Sequence, residues 1–205
     1  MQPPLLQYFH SQAHREAGVD EAGRGCLAGP VFAAAVILPA ALPQVLQTHL
    51  NDSKKLSFAR RAMLKQEIMC CALAWGVASA DAGEIDRINI LQASFLAMHR
   101  AIAQLTPAPD LLLIDGNRFK PYRGIEHHCI IKGDGRFYSI AAASVLAKTF
   151  RDEYMATAHQ HHPHYNWDQN KGYPTPAHKH AIAMHGLSPL HRKSFNSGLQ
   201  LKLQV

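Results

Sequence analysis

A chain of 205 residues, 47% apolar and 18% charged, is long enough for one domain with a full core and too apolar to stay disordered. Lysine and arginine outnumber aspartate and glutamate by 21 to 15, a net charge of +6 that fits a polyanionic partner. No apolar run reaches the length of a membrane span, and no charged head leads into an apolar segment, so a cytoplasmic protein without membrane contact is expected.

Residues 1–16 read as a loose lead-in. A first strand ends in Gly18-Val19-Asp20-Glu21, a glycine-rich turn follows through Gly23-Arg24-Gly25, and an apolar second strand covers 31–38, stopped by Pro39 and Pro43. Neighbours on a strand face opposite ways, so Asp20 and Glu21 are expected to converge only if the backbone distorts, which the glycines after them permit. Carboxylates beside bare backbone N–H groups and the Arg24 guanidinium can hold a hard cation next to a phosphate. The same turn, Gly23-Arg24-Gly25-Cys26-Leu27-Ala28, also fits the dinucleotide fingerprint. That motif needs a helix after the turn, whereas Pro30 and a β-branched run read as a strand. A plain hairpin with surface acids is the third alternative.

The polar loop 51–57 ends in Ser57 as a helix N-cap, and a helix covers 58–72. Within it Cys70 and Cys71 read as buried thiols; with Cys26 and Cys129 they lack C-x-x-C spacing, so neither a zinc ribbon nor a disulfide frame is expected. A third strand covers 73–80, a turn or short helix start 81–84, and a long amphipathic helix 89–105. The continuous apolar run 110–115 suits a buried, partly parallel strand that delivers Asp115 at its end. A basic loop carries Arg118, Lys120 and Arg123, a fifth strand spans about 126–132, and Asp134 follows it. A helix over 137–159, lined with alanines, precedes a His- and Pro-rich connection and a last helix over 176–184 with proline at its first position. The result is one α/β domain around a mixed sheet.

Three strand ends thus bring Asp20, Glu21, Asp115 and Asp134 to one edge, where sites gather in open α/β sheets. Four carboxylates together require divalent cations, and oxygen-only ligands select magnesium or manganese over zinc. Two such ions, about 3.5–4 Å apart, are the usual arrangement for displacement at phosphorus, so phosphodiester hydrolysis is the expected chemistry. A basic nucleic-acid-binding module without catalysis is the competing reading.

The blocks Gly-Val-Asp-Glu-Ala-Gly-Arg-Gly at 18–25, Asp-Ser-Lys-Lys-Leu-Ser at 52–57 and Leu-Ile-Asp-Gly at 113–116 resemble those of the ribonuclease HII family, the type 2 ribonucleases H. So do Lys-Gly-Asp at 132–134, Ser-Ile-Ala-Ala-Ala-Ser-Val-Leu-Ala-Lys at 139–148, Arg-Asp at 151–152, Gly-Tyr-Pro-Thr-Pro-Ala-His at 172–178 and His-Arg-Lys-Ser-Phe at 191–195, all in the family's order. The resemblance implies an α/β, ribonuclease H-like mixed five-stranded sheet, with a catalytic domain over 17–160 and a helical C-terminal extension over 161–205. It implies Asp20, Glu21, Asp115 and Asp134 as catalytic ligands of two Mn2+ or Mg2+ ions. It also implies Gly23, Arg24 and Gly25 as readers of a ribose 2′-hydroxyl, and Tyr173 as a base on which the sugar at an RNA–DNA junction stacks. The implied substrates are RNA–DNA hybrids and duplex DNA carrying ribonucleotides, cut to leave 5′-phosphate and 3′-hydroxyl ends; nothing in the sequence demands more than a monomer. Cys26 departs from the family, where proline is common, as does the tail after Phe195.

Ser53, Lys54 and Lys55 are candidate phosphate contacts, with a solvated loop as the alternative; Arg118, Lys120, Arg123, Lys171 and Arg192 are candidates to extend that track. Asp152 reads as a structural salt bridge, and His178 as support for the Tyr173 loop. His159, His161, His162 and His164 read as a polar helix end, since Pro163 interrupts them and no spaced cysteine accompanies them. Residues 200–204 read as a frayed amphipathic end, with a sliding-clamp docking peptide as the alternative.

Overall fold

The computed structural model describes residues 5–10, 15–50 and 57–195. Five strands form one sheet in the order β3-β2-β1-β4-β5: β1 (Glu16–Ala22), β2 (Val31–Ile37), β3 (Ala74–Ala80), β4 (Leu111–Asp115) and β5 (Glu126–Ile130). β1 pairs antiparallel with β2 and parallel with β4, β2 antiparallel with β3, and β4 parallel with β5. Both faces are covered, which is why β2 and β4 read as unbroken apolar runs rather than alternating ones. Ala17, Val19, Ala33, Ala35, Leu112 and Ile114 face α3 (Ala82–Ile102) in one core. On the opposite face, Ala34 and Val36 pack with α2 (Phe58–Cys71) and α4 (Tyr138–His161) in a second. α4 lies so close to β1 that a Cβ on Gly18 would sit 2.1 Å from the backbone carbon of Ser139. The alanines of α4 and the glycine of β1 are one packing solution.

Helix starts follow capping chemistry. Ser57 accepts a hydrogen bond from the Arg60 N–H, as expected of an N-cap. Asp81 and Glu84 form a reciprocal capping box, so of the turn or short helix start expected at 81–84 the helix start is what forms, and it joins the helix expected from 89 as one element, α3. Asn89 interrupts it at φ 65°, and its Oδ1 accepts the N–H groups of Leu91 and Gln92, restarting the helix where the periodicity begins. A short α1 (Gln44–His49), not expected from the pattern, follows Pro43. Cys26 is buried, but Cys70 is exposed and Cys71 half-buried, against the expectation for that pair: the apolar stripe of α2 turns other residues inward.

Within the segment expected to be loose, residues 5–10 are bonded to the body. Leu6 exchanges backbone hydrogen bonds with Arg136 and Tyr138, and the Phe9 and His10 N–H groups donate to the buried carboxylate of Glu16. No helix among the described residues is long and apolar enough to cross a membrane.

Past α4 the chain makes α5 (Trp167–Asn170) and α6 (Pro176–His185), packed with Leu27, Ala28 and Met155 in a small core. A histidine pair lies inside it. The Trp167 indole N–H donates to His178 Nε2 at 3.0 Å, His178 Nε2 meets His191 Nε2 at 3.1 Å, and His191 Nδ1 accepts the Ser188 N–H at 2.9 Å. With His178 Nδ1 against the Tyr173 carbonyl at 2.9 Å, every ring nitrogen is satisfied when both imidazoles are neutral. Burial and the neighbouring His178 hold the His191 pKa down to about 4. Below the ordinary value of about 6.5 the unfolded chain takes up a proton that the native state refuses, so stability falls as pH drops toward 4, by about 3 kcal/mol from this residue. Urea unfolding of wild type and His191→Asn between pH 7 and 4.5 checks this: the variant is weaker at neutral pH and has the shallower pH slope.

Candidate active site

Asp20 and Glu21 end β1 and Asp115 ends β4; with Gly23, Arg24, Gly25, Ser144, Lys148 and Tyr173 they line one cleft of about 290 Å³. It continues toward α3 into a hollow of about 270 Å³ that shares Glu21, Arg24 and Asp115 and adds Asn117 and Arg118. The expected backbone distortion at Asp20 and Glu21 is absent: β1 keeps one-to-one register with β2 through Ala22. β1 outruns its pairing with β4, which stops at Val19 and Ile114, so side chains leaving opposite faces of β1 both reach over the end of β4. Convergence comes from strand length.

Asp134 is not in the lining of this cleft. It sits, 7% exposed, in a 3₁₀ turn (Gly133–Gly135) after β5. The Gly133 N–H donates to Asp115 Oδ1 at 2.7 Å, which fixes that turn beside the end of β4. Ser53, Lys54, Lys55 and the tail 200–204 lie outside the described residues.

The electrostatics of the cleft are those of crowded acids. Burial, with the charges of Glu21 and Asp115 adding to it, pushes the Asp20 carboxyl well above the usual carboxylate range; hydrogen bonds from Ser144 and the Glu21 N–H work against the shift. Burial also raises Glu21, opposed by the Arg24 guanidinium at 3.1 Å and reinforced by Asp115. Oxygen donors crowded so that burial and neighbouring acids raise the pKa of Asp20 and Glu21 in a half-closed cleft fit a hard divalent cation, which removes the repulsion that burial has trapped.

Two buried arginines hold the glycine turn. Arg192, 2% exposed, donates from Nε to the Gly29 carbonyl (2.9 Å), from Nη1 to Arg24 (2.8 Å) and from Nη2 to Gly23 (2.7 Å). Arg151 on α4 donates to the Pro30 and Ala28 carbonyls at 3.1 and 3.2 Å. Gly23 has φ 94°, and a Cβ there would meet Arg151 Nε at 2.0 Å, so a side chain is excluded twice over. Arg192 therefore leaves the expected phosphate track: each of its three nitrogens donates inward to a loop carbonyl. Lys171 donates to the Asp168 carbonyl at 2.6 Å, closing the end of α5. Arg118 lines the α3-side hollow; Lys120 and Arg123 are exposed outside both hollows.

Asp152 is paired with Lys148 at 2.8 Å and Arg61 at 3.2 Å, the structural salt bridge expected of it. Tyr173, 40% exposed at the cleft mouth, is held through its carbonyl by His178, as expected. Sequence reasoning missed Ser144 and Lys148. They sit one helical turn apart on an otherwise small and apolar stretch of α4, and that i, i+4 polar pair is the signal that could have found them. The element after the turn is the strand β2, which removes the dinucleotide-binding alternative.

A family model described as ribonuclease HII matches residues 17–197. A ribonuclease HII of Bacteroides thetaiotaomicron is 59% identical over 192 residues, covering 94% of both chains. One of Porphyromonas gingivalis is 56% identical over 191 residues, covering 93% of this chain and 94% of its own. Among solved structures, the ribonuclease H2 of Pyrococcus horikoshii OT3 superposes with a TM-score of 0.73 at 22% identity, over 89% of this chain and 94% of that one. The Mn2+ complex of Bst-RNase HIII gives 0.74 at 18%, over 89% of this chain and 67% of that one. Both share the fold.

Trapped repulsion has a measurable consequence. In chelator-treated protein Asp20→Asn raises Tm by about 2–4 °C, the shift that ~1 kcal/mol gives in a chain of this size. Thermal unfolding with and without Mn2+ checks it, and the rise in Tm that Mn2+ gives the wild type shrinks in the variant.

Proposed function

The chain belongs to the ribonuclease HII family, and we propose that it is an endonuclease that nicks 5′ to ribonucleotides embedded in duplex DNA and hydrolyses the RNA strand of RNA–DNA hybrids, leaving 5′-phosphate and 3′-hydroxyl ends. Ribonuclease H activity and dependence on a divalent metal come with the family; the site of the nick, the pair of ions and the residue roles are the proposal. The observation that carries it is the meeting of Asp20, Glu21 and Asp115 with the Gly23-Arg24-Gly25 turn and Tyr173 in a single cleft.

Asp20, Glu21, Asp115 and Asp134 are assigned as ligands of two Mn2+ or Mg2+ ions, which when bound activate the attacking water and stabilise the leaving oxygen. Asp20 contributes a nearly dry carboxylate, and Ser144 orients it. Arg24 and Lys148 supply positive charge at the cleft wall for the scissile strand's phosphates. The turn 23–25 reads the ribose. Gly25 faces open space, with nothing within 4 Å of where a Cβ would stand, so its lack of a side chain leaves room for substrate rather than for the fold. Tyr173 supplies the stacking surface that tells the junction apart. Catalysis is assigned to residues 17–160, while the extension 161–205 contributes Tyr173 and the Arg192 brace. A non-catalytic module is the weaker reading, because buried acids in the lining would repel a nucleic acid unless cations were bound.

Cleavage of a duplex with one ribonucleotide, in Mn2+ or Mg2+, tests this. Asp115→Asn lowers the rate by about a hundredfold or more while binding persists, because ion stabilisation is worth several kcal/mol. Binding without cleavage by the wild type would establish the non-catalytic module instead. Gly25→Ala keeps the wild-type Tm within about 1 °C yet slows nicking at a single ribonucleotide by about tenfold or more, since the added methyl occupies space meant for the sugar. Undiminished nicking would remove Gly25 from the reading surface.

A further inference from the structure

On the far edge of the sheet from β3, three side chains stand apart from the cleft. Glu126 and His128 are two residues apart on the edge strand β5 and so project from one face. His10 comes to them from the N-terminal segment. One ligand atom from each of His10, Glu126 and His128 lies within 4.8 Å of the others, the only such group of three among the described residues. We propose that these residues form a second metal site, for a zinc-type divalent cation, that clips the N-terminal segment to the edge of the sheet.

The donors decide the ion. Two imidazoles and one carboxylate suit zinc and its first-row neighbours, whereas the all-oxygen cleft suits magnesium or manganese. Three protein ligands leave one tetrahedral position open, and the exposure of Glu126 gives an entry path.

The surroundings hold the ligands in place. The Phe9 ring stacks on His128 with centroids 4.4 Å apart and planes at 26°, which sets the imidazole's orientation. The buried Glu16 carboxylate accepts the Phe9 and His10 N–H groups at 2.7 and 2.8 Å, which sets the backbone that carries the third ligand. Supports of this kind around ligands are what metal sites use to fix ring direction. A pairwise contact of His128 Nε2 with a Glu126 carboxylate oxygen at 3.2 Å gives no reason for a third donor to be braced beside them.

The test uses the full chain in excess Mg2+, which occupies oxygen sites and is a poor partner for imidazole. Zn2+ is titrated by calorimetry, and Co2+ is followed by its visible absorption. The expected result is one Zn2+ per chain, a rise in Tm on binding, and affinity weakened by about tenfold or more in both His10→Asn and His128→Asn. Cleavage by these variants in Mg2+ stays at the wild-type rate, showing that they fold, and Asp115→Asn binds Zn2+ as the wild type does. Equal zinc affinity in wild type and both histidine variants overturns the proposal, as does loss of the zinc in Asp115→Asn or in His164→Asn. The outcome does not depend on which nucleic acid the cleft cuts.

Discussion

Acids forced together in a half-closed cleft, Asp20 almost wholly shielded from water, are the constraint around which this protein is built. Asp20 cannot relax away from Glu21 and Asp115 because its strand is fixed in register on one side by β2 and capped from above by α4. The contact with α4 is close enough that Gly18 has no room for a methyl group. A buried carboxylate without compensation is expensive, and the compensation supplied by the chain itself is partial: a serine hydroxyl, a backbone N–H and the Arg24 guanidinium. The remainder is a deficit of the kind that a divalent cation offsets.

The glycine turn beside the acids is kept rigid from outside. Two arginines spend their donors on five carbonyls between Gly23 and Pro30, and neither aims its charge at solvent. Desolvation lowers the Arg192 pKa to about 10, and the guanidinium still carries its charge at neutral pH. A fork of fixed geometry suits this use, since one side chain can set the direction of several successive peptide groups. Because Arg192 arrives from the end of the described chain and Tyr173 from the segment after α5, the C-terminal extension completes the cleft wall. The His178–His191 pair links Trp167 to Ser188 beside that extension's apolar core.

Much of the fold was legible because each element carries its own punctuation. Ser57 capped where it was expected to, and the long apolar run ending at Asp115 proved to be a parallel strand buried on both faces. Periodicity placed the start of the long helix at 89 because Asn89 does restart it, while 81–84 was legible as a turn or short helix start because a capping box of two acids carries the signs of both. Residues 5–10 looked loose because their ties run to Arg136, Tyr138 and Glu16, partners that no local pattern reveals.

The amino-acid sequence by itself determined which chemical types stand at which places: acids at strand ends, with glycines beside them, are types whose spacing already limits what they can do, and the tyrosine of the extension was marked by the family resemblance. Only the tertiary structure decided how they meet. Asp20 and Glu21 converge through the length by which β1 outruns β4, not through a distorted backbone. Arg192, one basic residue among many in the sequence, turns inward because the carbonyls of a distant loop need its donors. His10 stands beside Glu126 and His128 across more than a hundred residues of chain. Residue type and local spacing are written along one dimension, whereas strand ends, buried donors and edge contacts are set by which distant segments the packed core brings side by side.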